Sequence, residues 1–512
     1  MKTRFFIALL ATVFFAFGAF ADSDGGGGVQ KKFYTVSKDE SGRWWFVAPD
    51  GSRFISKGVT SVNFTSYVIR DTNRSDYGEA AIKKHKTKTA WRESVARVLL
   101  ENNFNTLGGW SEFDVLDTAS ARDAARAGRP LAWTHSLGLG SKFIARTAGK
   151  FDAPQLAAAW RANAAFPDVF EPEFAAAALA AAQKECAARA DDPRVLGWFS
   201  DNELRWGPDW RNKDELLVSF INAPRPAAGR AAALALLKKR HEKIGNFNRV
   251  WKTDLASWDA LADAAPGAIA TPFPRKSVYM QNADVERELN SGDPLRARFF
   301  ADCDAFLADA AELYFRAVSA AIHAAAPRQL NLGCRFAYVP YPPVLEAAAR
   351  HSDVLSLNCY THDPRQPLAR YAEFGRPLLI GEFSFRGDDA GLPNTKGAGP
   401  RVKTQRERGE AFAKYVRAAM SNANIVGYHW FQYADQPLEG RAPDGENSNY
   451  GLVNGRDESY VEFLRHARAA NAQADATHTG GQVSRPSPPP FSHFPVPPPA
   501  PPSPGLWPLA TA

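Results

Sequence analysis

The sequence is poor in cysteine, with four in 512 residues: Cys186, Cys303, Cys334 and Cys359. Their spacing gives neither a metal-binding pattern nor a dense disulfide framework. Cys334 and Cys359 fall inside apolar, strand-like runs and read as buried free thiols. The chain also lacks a marked charge excess. Sixty-two Lys and Arg against fifty-five Asp and Glu leave +7. There is no long block of like charges, so nucleic acid is not an expected partner. No Gly-x-Ser-x-Gly elbow supports a Ser-His-Asp triad. No His/Glu cluster has metal-ligand spacing, and no Gly-rich phosphate loop follows the first strand, where Gly58 stands nearly alone. No metal or cofactor is implied.

Long apolar runs are missing too, except at the start. Lys2 and Arg4 precede an apolar run from Phe5 to Phe20 that ends at Ala19-Phe20-Ala21. The run is short for a membrane span and closes on a small-x-small cleavage site. Residues 1–21 therefore read as a signal peptide with Asp22 as the mature N-terminus. This predicts a secreted or periplasmic protein with no stable membrane insertion after cleavage. No cysteine follows to take a lipid. Residues 22–31 hold four consecutive glycines and read as a flexible leader. After Ala470 the composition shifts, and twelve of the thirty-six prolines lie between Pro486 and Pro508. Residues 471–512 are expected to form a disordered or polyproline-like tail, because they offer no repeating apolar face.

Residues 32–470 fit one large domain. It opens with a hairpin, Phe33 to Val36 and Trp44 to Val47, followed by the Asp50-Gly51 turn. Eight short apolar runs then alternate with helical segments: Phe54 to Val62, Phe104 to Gly109, Leu131 to His135, Val195 to Ser200, Leu330 to Phe336, Val354 to Cys359, Pro377 to Phe383 and Ile425 to Phe431. Near-continuous apolar strands are buried on both faces, as in a parallel sheet. Eight strand–helix units predict an α/β fold, a closed (β/α)8 TIM barrel, in preference to an open doubly wound sheet. Helices are expected at Ala90 to Asn102 and Gln405 to Ser421. Residues 204–328 form a long insertion between strands four and five, with helices at Gly229 to Trp251 and near Pro294 to Ala325. Lys238, Lys239, Arg240 and Lys243 make a solvated face on the first of these.

In such a barrel, chemistry gathers at the carboxyl ends of the strands. Strand four runs into Asp201-Asn202-Glu203, and strand seven into Glu382-Phe383-Ser384. Barrel closure sets Glu203 and Glu382 across the mouth from each other. Opposed carboxyls are what hydrolysis of a glycosidic bond requires: one protonates the leaving oxygen, the other attacks the anomeric carbon or activates water. Around them we take Asn202, His135, Tyr360, Trp430, Trp110, Trp206 and Arg335 as candidate substrate-binding residues. His135 either bonds a sugar or caps its strand. Trp430 is expected as a sugar platform. Trp206 and Trp210 either line the cleft or pack the insertion. Asp201 is expected to hold local backbone or Arg205 and not to react.

On Asn202-Glu203, Gly381-Glu382, Tyr360 and Trp430, the chain resembles the retaining glycoside hydrolases of clan A. Longer stretches resemble the family-50 β-agarases and, more distantly, the family-42 β-galactosidases. These are Gly42 to Val47 with Pro49-Asp50-Gly51, Gly197 to Glu203, Phe247-Asn248 with Trp251 to Thr253, and His429 to Pro437. The resemblance runs from about residue 33 to 465. It implies Glu382 as nucleophile, Glu203 as general acid/base, Asn202 on the sugar 2-hydroxyl and Tyr360 orienting Glu382. It also implies a galactose-containing polysaccharide or oligosaccharide as substrate, agarose cut at β-1,4 linkages above all. A β-galactosidase, a mannan- or glucan-cleaving relative, and a non-catalytic carbohydrate-binding barrel stay open. The sequence says nothing of oligomeric state.

Overall fold

A computed structural model describes residues 32–65, 67–147, 166–209, 211–274, 292–337, 339–442 and 444–480. The expected signal peptide, leader and Pro-rich segment lie outside the described residues. Each of the eight apolar runs forms a parallel strand: Ser56–Val59, Thr106–Leu107, Ala132–Ser136, Val195–Phe199, Leu330–Asn331 with Arg335–Ala337, Leu355–Asn358, Leu378–Phe383 and Ile425–Trp430. The sheet is ordered five, four, three, two, one, eight, seven, six, five. Strand five appears at both ends because it is in two pieces. Leu330–Asn331 pairs with strand four, and Arg335–Ala337 pairs with strand six. One broken strand thus bridges both edges and closes the ring. Gly333 makes the break: its φ is +72°, and a Cβ there would lie 3.0 Å from the Val354 carbonyl oxygen. Only glycine takes that conformation without penalty.

The hairpin is the start of a three-stranded antiparallel sheet, Thr35–Lys38, Trp44–Val47 and Arg53–Phe54. Its Tyr34, Phe46 and Phe54 pack on Leu196, Leu330, Val354, Leu379 and Val426. These residues begin or precede barrel strands, so the hairpin plugs the amino-terminal end of the barrel. The Trp44 amide fixes it by donating to the Ala423 carbonyl at 2.8 Å.

Helices cover the outside, including Lys88–Glu101 and Gln405–Met420. Two boundaries differ from expectation. The segment from Gly229 to Trp251 is two helices, Ala228–His241 and Ile244–Trp251, broken where Glu242 turns to φ +59°. His241 and Arg240 then reach the buried Asp302 of the long helix Pro294–Ala325, at 2.7 and 2.6 Å. The second correction is at residue 471, where a tail was expected. Helix Val461–Gly480 runs on, burying Phe463, Leu464, Ala467, Asn471, Ala474 and His478. That spacing of three to four keeps one face inward although the residues themselves turn small and polar. Tyr428 donates to Asn471 at 2.8 Å, and the His478 ring meets the Trp44 carbonyl at 3.0 Å. All four cysteines are buried, and none is in a disulfide. Among the described residues, no helix is long and apolar enough to cross a membrane.

Candidate active site

Alternation along each strand decides which residues face the barrel axis. On strand seven, Glu382 faces the mouth and is 4% exposed. Tyr360, after strand six, donates its hydroxyl to Glu382 Oε2 at 2.6 Å. Arg335, at the start of the second piece of strand five, sets Nη1 3.1 Å from Glu382 Oε1. Burial pushes the Glu382 carboxyl up to about 7, aided by the charge of Glu203 and opposed by Arg335 and Tyr360.

Glu203 arrives from strand four. Past Phe199 the chain stays against strand five through an Asn202–Arg335 bridge, and the Glu203 amide donates to the Arg335 carbonyl at 2.8 Å. Glu203 has φ +52°, a left-handed conformation costly for a residue with a side chain. The Arg211 guanidinium holds it there, donating to the Glu203 carbonyl at 2.8 Å. Asn358, at the end of strand six, pairs in register with Glu382 and donates to Glu203 Oε1 at 2.8 Å and Asn202 Oδ1 at 3.0 Å. One amide thus links both strand-four residues to the strand beside Glu382. The Tyr360 hydroxyl feels the charge of both carboxylates.

Trp110 completes this group. It also is left-handed, at φ +63°, and its ring lies 4.1 Å from the Arg335 guanidinium carbon. The loop after strand eight forms a further wall. Arg441 pairs with Glu446 at 2.9 Å, Gln436 donates to Glu446 at 2.7 Å, and Arg441 lies over Phe431. The Arg441 charge reaches Glu382, and Glu446 reaches Glu203.

The structure brings together Glu203, Glu382, Asn202, Tyr360, Arg335 and Trp110. It separates three other candidates from them. Trp430 is fully buried, packs on Phe383, Phe412 and Phe463, and donates to the Tyr450 carbonyl at 2.8 Å. Its strand position points it at the helix layer, so it offers no face to a sugar. Trp206 stacks at 7° on Phe315 of the long helix and packs the insertion. His135 stacks on Trp133 and edges Trp198, both in the outer core, and burial lowers its imidazole to about 4. Both strand-end readings of His135 give way to ring packing. Asp201 holds backbone as expected, accepting from the Gly140 and Ser141 amides at 2.7 and 2.9 Å and from Tyr314 at 2.6 Å. Trp210 lies outside the described residues. Sequence reasoning missed Asn358, Arg441 and Glu446. Of these, only Asn358 carried a signal, as a polar residue closing strand six. Among the described residues, no group of three or more His, Cys, Asp or Glu side chains is placed to hold a metal ion.

With that geometry in view, relatives are informative. Beta-agarase A of Vibrio sp. (strain JT0107) is 25% identical over 495 residues, covering 86% of this chain and 45% of that protein. Beta-agarase B of the same organism is 25% identical over 483 residues, covering 86% and 48%. The chain resembles the family-50 β-agarases. It spans about half the length of these curated relatives. Among solved structures, PfGH50B aligns at TM-score 0.68 and 21% identity, covering 89% of this chain and 68% of that one. An exo-beta-agarase aligns at 0.66 and 22%, covering 88% and 66%. These structures share its barrel fold. No family model matches the chain.

Proposed function

We propose that this protein is a secreted, retaining glycoside hydrolase that cleaves β-1,4 linkages of agarose. The observation that carries the reading is the pairing of Glu382, held by Tyr360 and Arg335, with Glu203, held by Asn358, over one barrel mouth. The similarity to two β-agarases supports the choice of substrate.

In this reading Glu382 attacks the anomeric carbon. Its Oε2 accepts from the Tyr360 hydroxyl, and its Oε1 lies 3.1 Å from Arg335 Nη1. Glu203 gives its proton to the departing oxygen. It then takes a proton from water, whose oxygen bonds to the anomeric carbon as the ester to Glu382 breaks. A retaining reaction sets the carboxyls roughly 5 to 5.5 Å apart. Asn202, beside Glu203, is assigned to the sugar 2-hydroxyl.

The test is incubation with agarose, an aryl β-galactoside, mannan and glucan, with proton NMR of the first anomer released. New reducing ends from agarose in the β configuration are expected. Inverted product removes the double displacement. Hydrolysis of mannan or glucan alone moves the substrate, and no hydrolysis of any substrate sinks the enzyme reading. Recovery of the protein outside the cytoplasm, cut before Asp22, is the expected result for secretion.

A further inference from the structure

Arg335 entered as a candidate sugar ligand, but it is 0% exposed. It lies between the Trp110 ring, 4.1 Å away, and the Phe199 ring, 5.0 Å away. Two glycines make the room. A Cβ on Gly381 would come 2.5 Å from Arg335 Cδ, and one on Gly109 would come 3.1 Å from Nη1. The guanidinium thus fills a closed slot lined by Gly109, Gly381, Trp110 and Phe199. Its Nε and Nη2 have no hydrogen-bond partner, and the 3.1 Å approach to Glu382 Oε1 is an ion pair without hydrogen-bond alignment. Nη1 also donates to the Gly381 carbonyl at 3.5 Å, and a cation shut off from water acts on a neighbouring carboxylate chiefly through charge.

We propose that Arg335 is the positioning residue of Glu382, a desolvated cation fixed between Trp110 and Phe199 that offsets the cost of burying the carboxylate and holds it in place. The inference rests on the hydrolase reading and deepens it. Arg335 touches no sugar. It favours the anionic form before attack. It favours it again when water attacks the anomeric carbon, the ester bond breaks and the electron pair returns to Glu382. Glu203, Tyr360 and Arg441 also face Glu382, and the neutral, buried His429 lies within reach of the Arg335 charge. Among the groups found to act on Glu382, Arg335 and Arg441 are the cations, and Arg441 is shared with Asp444 and Glu446.

The test compares R335M and R335K with wild type. For R335M, kcat should fall on the order of 100-fold, as when one preorganised donor is removed. KM should change little, and the acidic limb of kcat/KM should move up by roughly one to three pH units. Guanidinium ion added to R335M should restore part of the rate. R335K keeps the charge, so its limb should stay near that of wild type while kcat drops. A limb that does not move in R335M, or a raised KM at unchanged kcat, overturns the assignment and restores Arg335 as a sugar ligand. If R335M does not fold, R335K decides: a limb displaced as far as three units overturns it. Without substrate, denaturation of R335M should show the stability loss linked to Glu382 continuing above pH 7, and an unchanged profile counts against Arg335. Wild type that cleaves no saccharide removes the hydrolase reading alone and leaves this last measurement to judge the clamp.

Discussion

Replacing Glu382 by Gln should make the protein more stable at neutral pH while removing its turnover. Gln copies the neutral carboxyl in shape and cannot ionise. The wild-type carboxyl is raised from 4.5 to about 7 in the fold, chiefly by burial. A raised folded-state value means that folding favours the protonated form. Its contribution is whole below pH 4.5 and is lost as pH rises to 7. At about 1.4 kcal/mol per pH unit this amounts to roughly 3 kcal/mol. Solvent screening is small at 4% exposure. Asp201, Asp435 and Glu446 are raised by burial as well. Subtracting wild type from E382Q cancels them. The assay is urea unfolding followed by tryptophan fluorescence at pH 4.5, 5.5, 6.5 and 7.5. The stability of E382Q relative to wild type should grow by about 3 kcal/mol across that range. A difference that stays flat, or shrinks as pH rises, would refute the reasoning.

Other expectations follow from the same geometry. E203A should lose agarose turnover by about 10²- to 10⁴-fold, yet cleave an aryl glycoside whose leaving group needs no proton, with accumulation of glycosyl-enzyme. Equal losses on both substrates would argue against an acid role. Y360F should lower kcat with little change in unfolding free energy, and a fall in stability alone would make Tyr360 structural. W430A should cost about 3–5 kcal/mol in urea unfolding, the range for deleting a buried aromatic. Normal stability with a raised KM would return Trp430 to the cleft. G333A should destabilise by loading a side chain onto a left-handed residue beside the Val354 carbonyl, seen as a lowered melting temperature, and an unchanged one would contradict the role given to the strand-five break.

Much of the architecture was legible because barrel strands are apolar on both faces. Eight such runs, separated by helices, have few other solutions, and every run became a strand. Glu203 and Glu382 were legible for a related reason: each is an acid placed at the end of an apolar strand. The aromatic candidates were not. Trp430 is next to His429 in sequence, but strand alternation sends one to the helix layer and the other to the axis, where its ring lies against Ser56. A strand buried on both faces gives no polarity contrast from which to tell them apart. The tail boundary failed because the shift in composition after Ala470 does not remove the inward helical stripe ending at His478.

The sequence by itself determined the number of strands and the place of Glu203 and Glu382 at strand ends, since periodicity and strand-end chemistry are local. Only the tertiary structure decided that strand five breaks at Gly333 to close the ring. Only it decided that Arg335 is a buried counter-charge and that Asn358 ties one glutamate's loop to the other's strand. Those roles depend on residues 21 to 225 positions away in the chain, and nothing local encodes which side chains closure will press together.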